Sequence, residues 1–211
     1  MRVGVICDDK YHPADVVIHG LNALNTENIV FDFITDTSSW SASSGDDYDI
    51  IVLSKGNGKS PVDTTPWLIG DIPQGFVTFV EQGGGLFVIH SGTVGYRNDL
   101  CLRTLIGGGF AHHPAPGPVL VEYSGNPTIP GMHPSTFTVH DEHYLMEMFH
   151  DDLEVFLTST SKDGTQPAGW TRTQGKGKVC VVTPGHYSEV WSHPEYQHIL
   201  LQALSWFQDG K

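Results

Sequence analysis

Histidine is the residue type with the most chemical potential in this chain: twelve imidazoles stand against eleven lysines and arginines together. Imidazole ligates metals and carries protons near neutral pH. The histidines that matter fall in a few segments: His90-Ser91-Gly92-Thr93, His112-His113-Pro114 after a triple glycine, His133-Pro134, His140-Asp141-Glu142-His143-Tyr144, and Gly185-His186-Tyr187. Imidazoles with carboxylates suit a divalent metal such as zinc, or general acid–base catalysis. Spacing alone does not choose between them, since H-D-E-H is not the H-E-x-x-H of zinc proteases. His112 and His133, each in a proline-bearing loop, also read as loop residues. His12 taken alone reads as a turn residue before a helix. His90 and His186 taken jointly point to function.

Ser91 sits in a tight turn between a strand and a helix, the setting of a nucleophile elbow. Ile89 and Thr93 occupy the glycine positions of G-x-S-x-G, so the hydrolase motif is not met. The Ser91 hydroxyl could be a nucleophile activated by His186, or a turn hydroxyl. No cysteine stands at this turn, which excludes thiol chemistry there.

The elements that position these residues are legible as apolar runs. Strands are predicted near residues 2–7, 28–35, 49–54, 86–90 and 178–183, apolar throughout, as strands covered on both faces are. Ala14, Val17, Ile18, Leu21 and Leu24 recur at helical spacing, and Phe76, Phe79 and Val80 mark a second helix stopped by Gly83-Gly84-Gly85. A last helix is predicted with Ser192 as N-cap and Pro194 in its first turn, its core face formed by Tyr196, Ile199, Leu200, Ala203, Leu204 and Phe207. The Gly- and Pro-rich middle third has strand-like pieces at Val119–Tyr123 and Thr136–Val139, and reads as an extended excursion from the same domain. Glu154–Ser159 is a further strand. The expectation is one α/β domain over residues 1–211 with a mostly parallel sheet and helices on both faces.

In open parallel sheets ligands bind beyond the carboxyl ends of the strands. The polar residues found there are Asp8, Asp9 and His12 after the first strand and Lys55–Gly58 after the third. His90–Thr93 follow the fourth, and Gly185-His186-Tyr187 the late strand. Four strand ends thus converge on one edge, and three supply a histidine.

Composition excludes several classes. A formal net charge of −13 disfavours nucleic acid and anionic membrane as partners. The N-terminal residues show no signal-peptide pattern. Three widely spaced cysteines argue against a disulfide framework or a cysteine zinc site and fit a reducing compartment, so a cytoplasmic location is expected.

As a set, Val80–Gly92, Leu105–Pro114, Phe137–Tyr144, Pro167–Trp170, Gly175–His186 and Trp206 resemble the ThuA-like (trehalose-utilisation) family over nearly the whole chain. The resemblance implies a flavodoxin-like three-layer sandwich similar to class I glutamine amidotransferases, without their cysteine nucleophile. It also implies a role in carbohydrate utilisation, such as conversion of a 3-keto-sugar or glycoside. In such folds the elbow faces the late-strand histidine, which maps onto His90/Ser91 and His186. The chain departs from the family at Asn126-Pro127-Thr128, where His-Pro is common, and at Lys178, where arginine is common.

These observations give a definite expectation. His90, His113, Glu142 and His186 line one pocket, with Asp141 or His143 beside them. His186, Glu142 and His113 are the catalytic candidates. His12, Ser91, Gly92, Asp141 and Tyr144 are the substrate-binding candidates, and His90, His113 and His186 the metal-ligand candidates. The ligand is a small sugar, the cofactor a divalent metal such as zinc, no nucleotide cofactor is expected, and a homo-oligomer is left open. The competing readings are a non-catalytic sugar- or metal-binding protein and a hydrolase using Ser91 and His186.

Overall fold

The computed structural model describes residues 1–24, 26–125, 129–151 and 153–208. The chain begins with β1 (Arg2–Cys7), α1 (Ala14–Asn22), β2 (Val30–Ile34), β3 (Ile50–Ser54), α2 (Ile72–Glu81) and β4 (Gly85–Ile89). A one-turn 3-10 helix (His90–Thr93) and α3 (Leu100–Ile106) follow. Next come β5 (Gly108–His112), β6 (Gly117–Tyr123), β7 (Thr136–Asp141), β8 (Leu145–Met148), β9 (Glu154–Ser161), β10 (Gly164–Gln174) and β11 (Gly177–Val182). The chain closes with α4 (Ser188–Trp191) and α5 (Pro194–Gln208).

One nine-stranded sheet runs in the order β2-β1-β3-β4-β11-β10-β9-β6-β7. The strands from β2 to β11 are parallel, and those from β10 to β7 are antiparallel. Side chains of the parallel half alternate between two cores. Val3, Val5, Val52, Phe87, Ile89 and Val182 face α1, α4 and α5, while Ile6, Ile51, Leu53, Leu86, Val88 and Val181 face α2 and α3. Both faces are dry, which is why these strands read as unbroken apolar runs. The result is the expected three-layer α/β architecture.

The middle third differs from its expected form. It is no excursion: β6, β7 and β9 join β10 as the antiparallel half of the main sheet, while β5 and β8 form a separate two-stranded ribbon. β10 shifts register between Pro167 and Trp170, the kind of irregularity that bends a strand. The apolar face of this wing (Val119, Val121, Phe137, Val139, Phe156) packs in the same core as α5. The wing therefore curls over α5, and its edge strand β7 returns to the carboxyl end of β11.

Ser192 is not the N-cap of the last helix; it is the C-cap of α4. His193 opens α5 instead: its carbonyl accepts Gln197 N–H at 2.9 Å and its ring Nδ1 accepts Glu195 N–H at 3.2 Å. A ring nitrogen thus does what a serine hydroxyl would, ahead of Pro194. Asn126-Pro127-Thr128 lie outside the described residues. Among those described, no helix is long and apolar enough to cross a membrane.

Candidate metal and acid–base site

The turn after β1 is built around Asp9. Its Oδ1 accepts the amides of Tyr11 and His12 at 2.8 and 3.1 Å, and its Oδ2 accepts Gly56 N–H from the end of β3 at 2.7 Å. The same carboxylate meets His12 Nδ1 at 2.8 and 3.0 Å. Burial would raise the Asp9 carboxyl, but the His12 contact and these amides outweigh it and bring it down to about 2. Burial, with His90 and His186 nearby, lowers the His12 pKa despite Asp9. With Nδ1 committed to the carboxylate, the neutral ring presents a lone pair at Nε2.

β4 ends in a true elbow, and His90 is the residue at its apex. Its φ of 45° lies in the left-handed region, which costs a non-glycine residue roughly 1–2 kcal/mol. The turn packs so tightly on β3 that a Cβ at Gly92 would overlap the Leu53 carbonyl. His90 Nδ1 lies 2.7 Å from the Thr183 carbonyl at the end of β11. A carbonyl only accepts, so Nδ1 carries the hydrogen and Nε2 again presents a lone pair.

β7 delivers Asp141 and Glu142 to this point. Asp141 is 1% exposed and accepts Gly185 N–H at 2.8 Å and His186 N–H at 3.0 Å, which fixes the loop after β11. Glu142 Oε2 then stands 3.1 Å from His186 Nδ1 and 3.6 Å from His90 Nε2, and Oε1 stands 3.5 Å from His113 Nε2. Burial would raise the Glu142 carboxyl, but His186 and His90 hold it well below the usual carboxylate range. The Glu142 carboxylate in turn raises the His186 pKa against burial.

One ligand atom each from His12, His90, Glu142 and His186 fits within 4.8 Å of all the others. Among the described residues, His12 Nε2, His90 Nε2 and His186 Nδ1 are buried and have no hydrogen-bond partner, so His186 Nδ1 lies near Glu142 without hydrogen-bond alignment. Buried polar atoms are ordinarily paired. Three unpaired imidazole nitrogens converging on one carboxylate are a donor set that could hold a zinc-class cation. Asp9 and the Thr183 carbonyl orient two of the rings from behind, as partners of metal-bound histidines do.

A family model described as trehalose utilisation matches residues 8–207. The chain belongs to this family. No curated protein matches it. Among solved structures, a ThuA-like protein from Bacteroides uniformis is 20% identical with a TM-score of 0.73, covering 100% of this chain and 92% of that one. A ThuA-like protein from Parabacteroides merdae is 16% identical with a TM-score of 0.77, covering 100% and 91%. A β-galactosidase from Bacillus circulans is 16% identical with a TM-score of 0.63, and its match covers 96% of this chain but 30% of its own. Membership assigns the chain to carbohydrate utilisation, and these likenesses establish the fold.

In this trehalose-utilisation protein the sequence-derived candidates fall into three groups. His90, Glu142 and His186 come together, and His12 joins them where His113 had been expected as a ligand. His113 stands at the outer side of Glu142; its Nδ1 is tied to the Pro114 carbonyl at 2.8 Å, so its Nε2 lone pair points inward. Tyr144 is a wall: it is 2% exposed and stacks on His90 at 4.1 Å.

The remaining candidates are elsewhere or act differently. Asp141 grips backbone amides. Gly92 serves the close packing of the turn. The Ser91 hydroxyl is buried with no hydrogen-bond partner among the described residues, so none of their histidines is hydrogen-bonded to it as a base. His143 points away from the site, bonded to Ser161 Oγ at 2.7 Å and Ser159 Oγ at 3.1 Å. It floors a separate cavity of about 360 Å³ lined by Pro114–Val119 and Ser161–Asp163, to which no member of the four-residue set contributes. Sequence reasoning missed Asp9 as a support; the Asp9-x-x-His12 spacing in one turn was the available signal.

Proposed function

We propose that the chain is a metal-assisted enzyme acting on a sugar or 3-keto-glycoside by acid–base chemistry. The observation that carries this reading is the convergence of three buried, unpartnered imidazole nitrogens on Glu142. His12, His90, Glu142 and His186 would hold a divalent cation of the zinc class, which supplies a Lewis acid to polarise a sugar oxygen. Family membership supports a small sugar as the ligand.

Abstracting a proton beside a carbonyl needs a base with a free lone pair at the open side of the site. His113 meets that requirement. Its Nε2 takes the proton, and Glu142 Oε1, 3.5 Å away, stabilises the imidazolium that forms. His90 and Tyr144 close the floor and exclude water. His186, fixed through its backbone by Asp141, would present Nδ1 to the cation beside the other carboxylate oxygen of Glu142.

The test combines metal analysis with turnover. Protein as purified should carry about one zinc-class ion per chain, lose it in His90→Ala, and consume a 3-keto-glucoside in a chelator-sensitive reaction. A metal-free protein whose turnover ignores chelators would overturn the reading.

A further inference from the structure

The side chains of the site grow more exposed in one direction: His90 is 1% exposed, Glu142 12%, His186 19% and His113 33%. His90 is thus the innermost of these side chains, and His186 and His113 are the outermost. Each of these two histidines has an aromatic neighbour that is only partly buried. Phe110, on β5, lies 5.8 Å from the His113 ring and packs behind on Tyr144 at 4.4 Å. Tyr187 meets the His186 ring edge-on at 4.6 Å and has His140 on another side at 5.6 Å. Tyr187 rests partly on the core that holds α5, and both rings leave part of their surface uncovered beside the outermost histidines of the site.

Glu142 Oε2 stands 3.1 Å from His186 Nδ1, Asp141 lies against the His186 amide, and Asp9 lies behind His12. A ligand is thus met by polar groups at the floor and by aromatic carbon at the sides. A pyranose ring has the matching pattern. Its oxygens radiate at the ring edge, while the axial hydrogens of a gluco-configured ring leave an apolar C–H face. An acyclic polyol has no such face. We propose that Phe110 and Tyr187 form a carbohydrate-stacking subsite that takes the C–H face of a pyranoside and sets its carbonyl edge over His113 and Glu142. This subsite rests on the sugar-enzyme reading above and names residues for its substrate specificity.

The probe is methyl 3-keto-β-D-glucopyranoside, titrated calorimetrically into the protein as purified, with sorbitol as the acyclic control. Phe110→Leu and Tyr187→Leu keep apolar volume but remove the ring, and metal content checks that each variant retains the site. Each should weaken pyranoside binding about tenfold, the scale of one aromatic contact, while Tyr187→Phe weakens it far less than Tyr187→Leu. Sorbitol should not distinguish the variants from the parent. If the parent binds the pyranoside and both leucine variants bind it equally well, the subsite is overturned and the sugar reading stands. If the parent binds no pyranoside, the sugar reading falls and the subsite with it.

Discussion

Asp141 holds His186 by its backbone: the buried carboxylate accepts the His186 amide at 3.0 Å, while the carboxylate of the adjacent Glu142 stands 3.1 Å from the imidazole. One dipeptide at the end of β7 thus fixes the backbone of a residue that follows β11 and places a carboxylate beside its ring. In Asp141→Asn one acceptor oxygen becomes an NH₂ facing a backbone N–H. A buried donor left unpaired costs about 1–3 kcal/mol, so the melting temperature should fall by roughly 2–12 °C. Calorimetry measures this, and metal retention should fall with it. An unchanged Tm would show that the loop is held by other contacts.

The Asp9–His12 pair makes a different prediction, about affinity rather than folding. Asp9 fixes the His12 tautomer through Nδ1, and loss of such a partner typically costs about 10–100-fold in metal affinity. Asp9→Asn should therefore lose its ion to a competing chelator at correspondingly lower chelator concentration. His12→Ala should lose it outright. Equal retention in Asp9→Asn and parent would show that His12 is not a ligand.

The cysteines report on the core. Burial pushes the Cys7 thiol up to about 12 and raises the Cys180 thiol as well, and both side chains are fully covered. Only the thiolate attacks a disulfide reagent, so neither should react in the native protein. Cys101, partly exposed on α3 beside Gln74, should react alone. An aromatic disulfide reagent should count one thiol per chain in buffer and three in denaturant. Rapid release of three in buffer would contradict the packing of β1 and β11.

What could be read from the sequence followed from how completely each element is buried. The strands β1, β3, β4 and β11 announced themselves because both their faces are dry. β10 (GTQPAGWTRTQ) did not, because Gly164, Pro167, Gly169 and the register shifts around them break its alternation. The return of β7 to the end of β11 depends on the curl of the antiparallel wing, a tertiary property that no local pattern encodes. His90 and His186 were legible through their strand-end placement, and Glu142 through the imidazole–carboxylate cluster at His140–Tyr144. His12 was undervalued because a single histidine in a turn carries no sign of the three others it meets. His143 was overvalued because adjacent residues at a strand end point to opposite sides, Glu142 into the site and His143 into the Ser159–Ser161 side.

The sharpest separation of roles is between His113 and the four-residue set. His113 is the most exposed of these side chains, at 33%, and does not belong to the set within 4.8 Å. Under the proposed mechanism its removal costs the proton-transfer contribution, about a hundredfold to ten-thousandfold, without loss of a bound ion. His113→Ala should thus be nearly inactive on a 3-keto-glucoside yet retain full metal content. His186→Ala and Glu142→Gln should lose most activity while keeping the fold, and the metal content of His186→Ala should fall. Ser91→Ala should keep most of its turnover, because its hydroxyl has no base to activate it. Mass spectrometric metal analysis and turnover, run on the same preparations, give both readouts. A Ser91→Ala variant that is dead with its metal intact, beside a His113→Ala variant that turns over normally, would replace this assignment with a serine nucleophile.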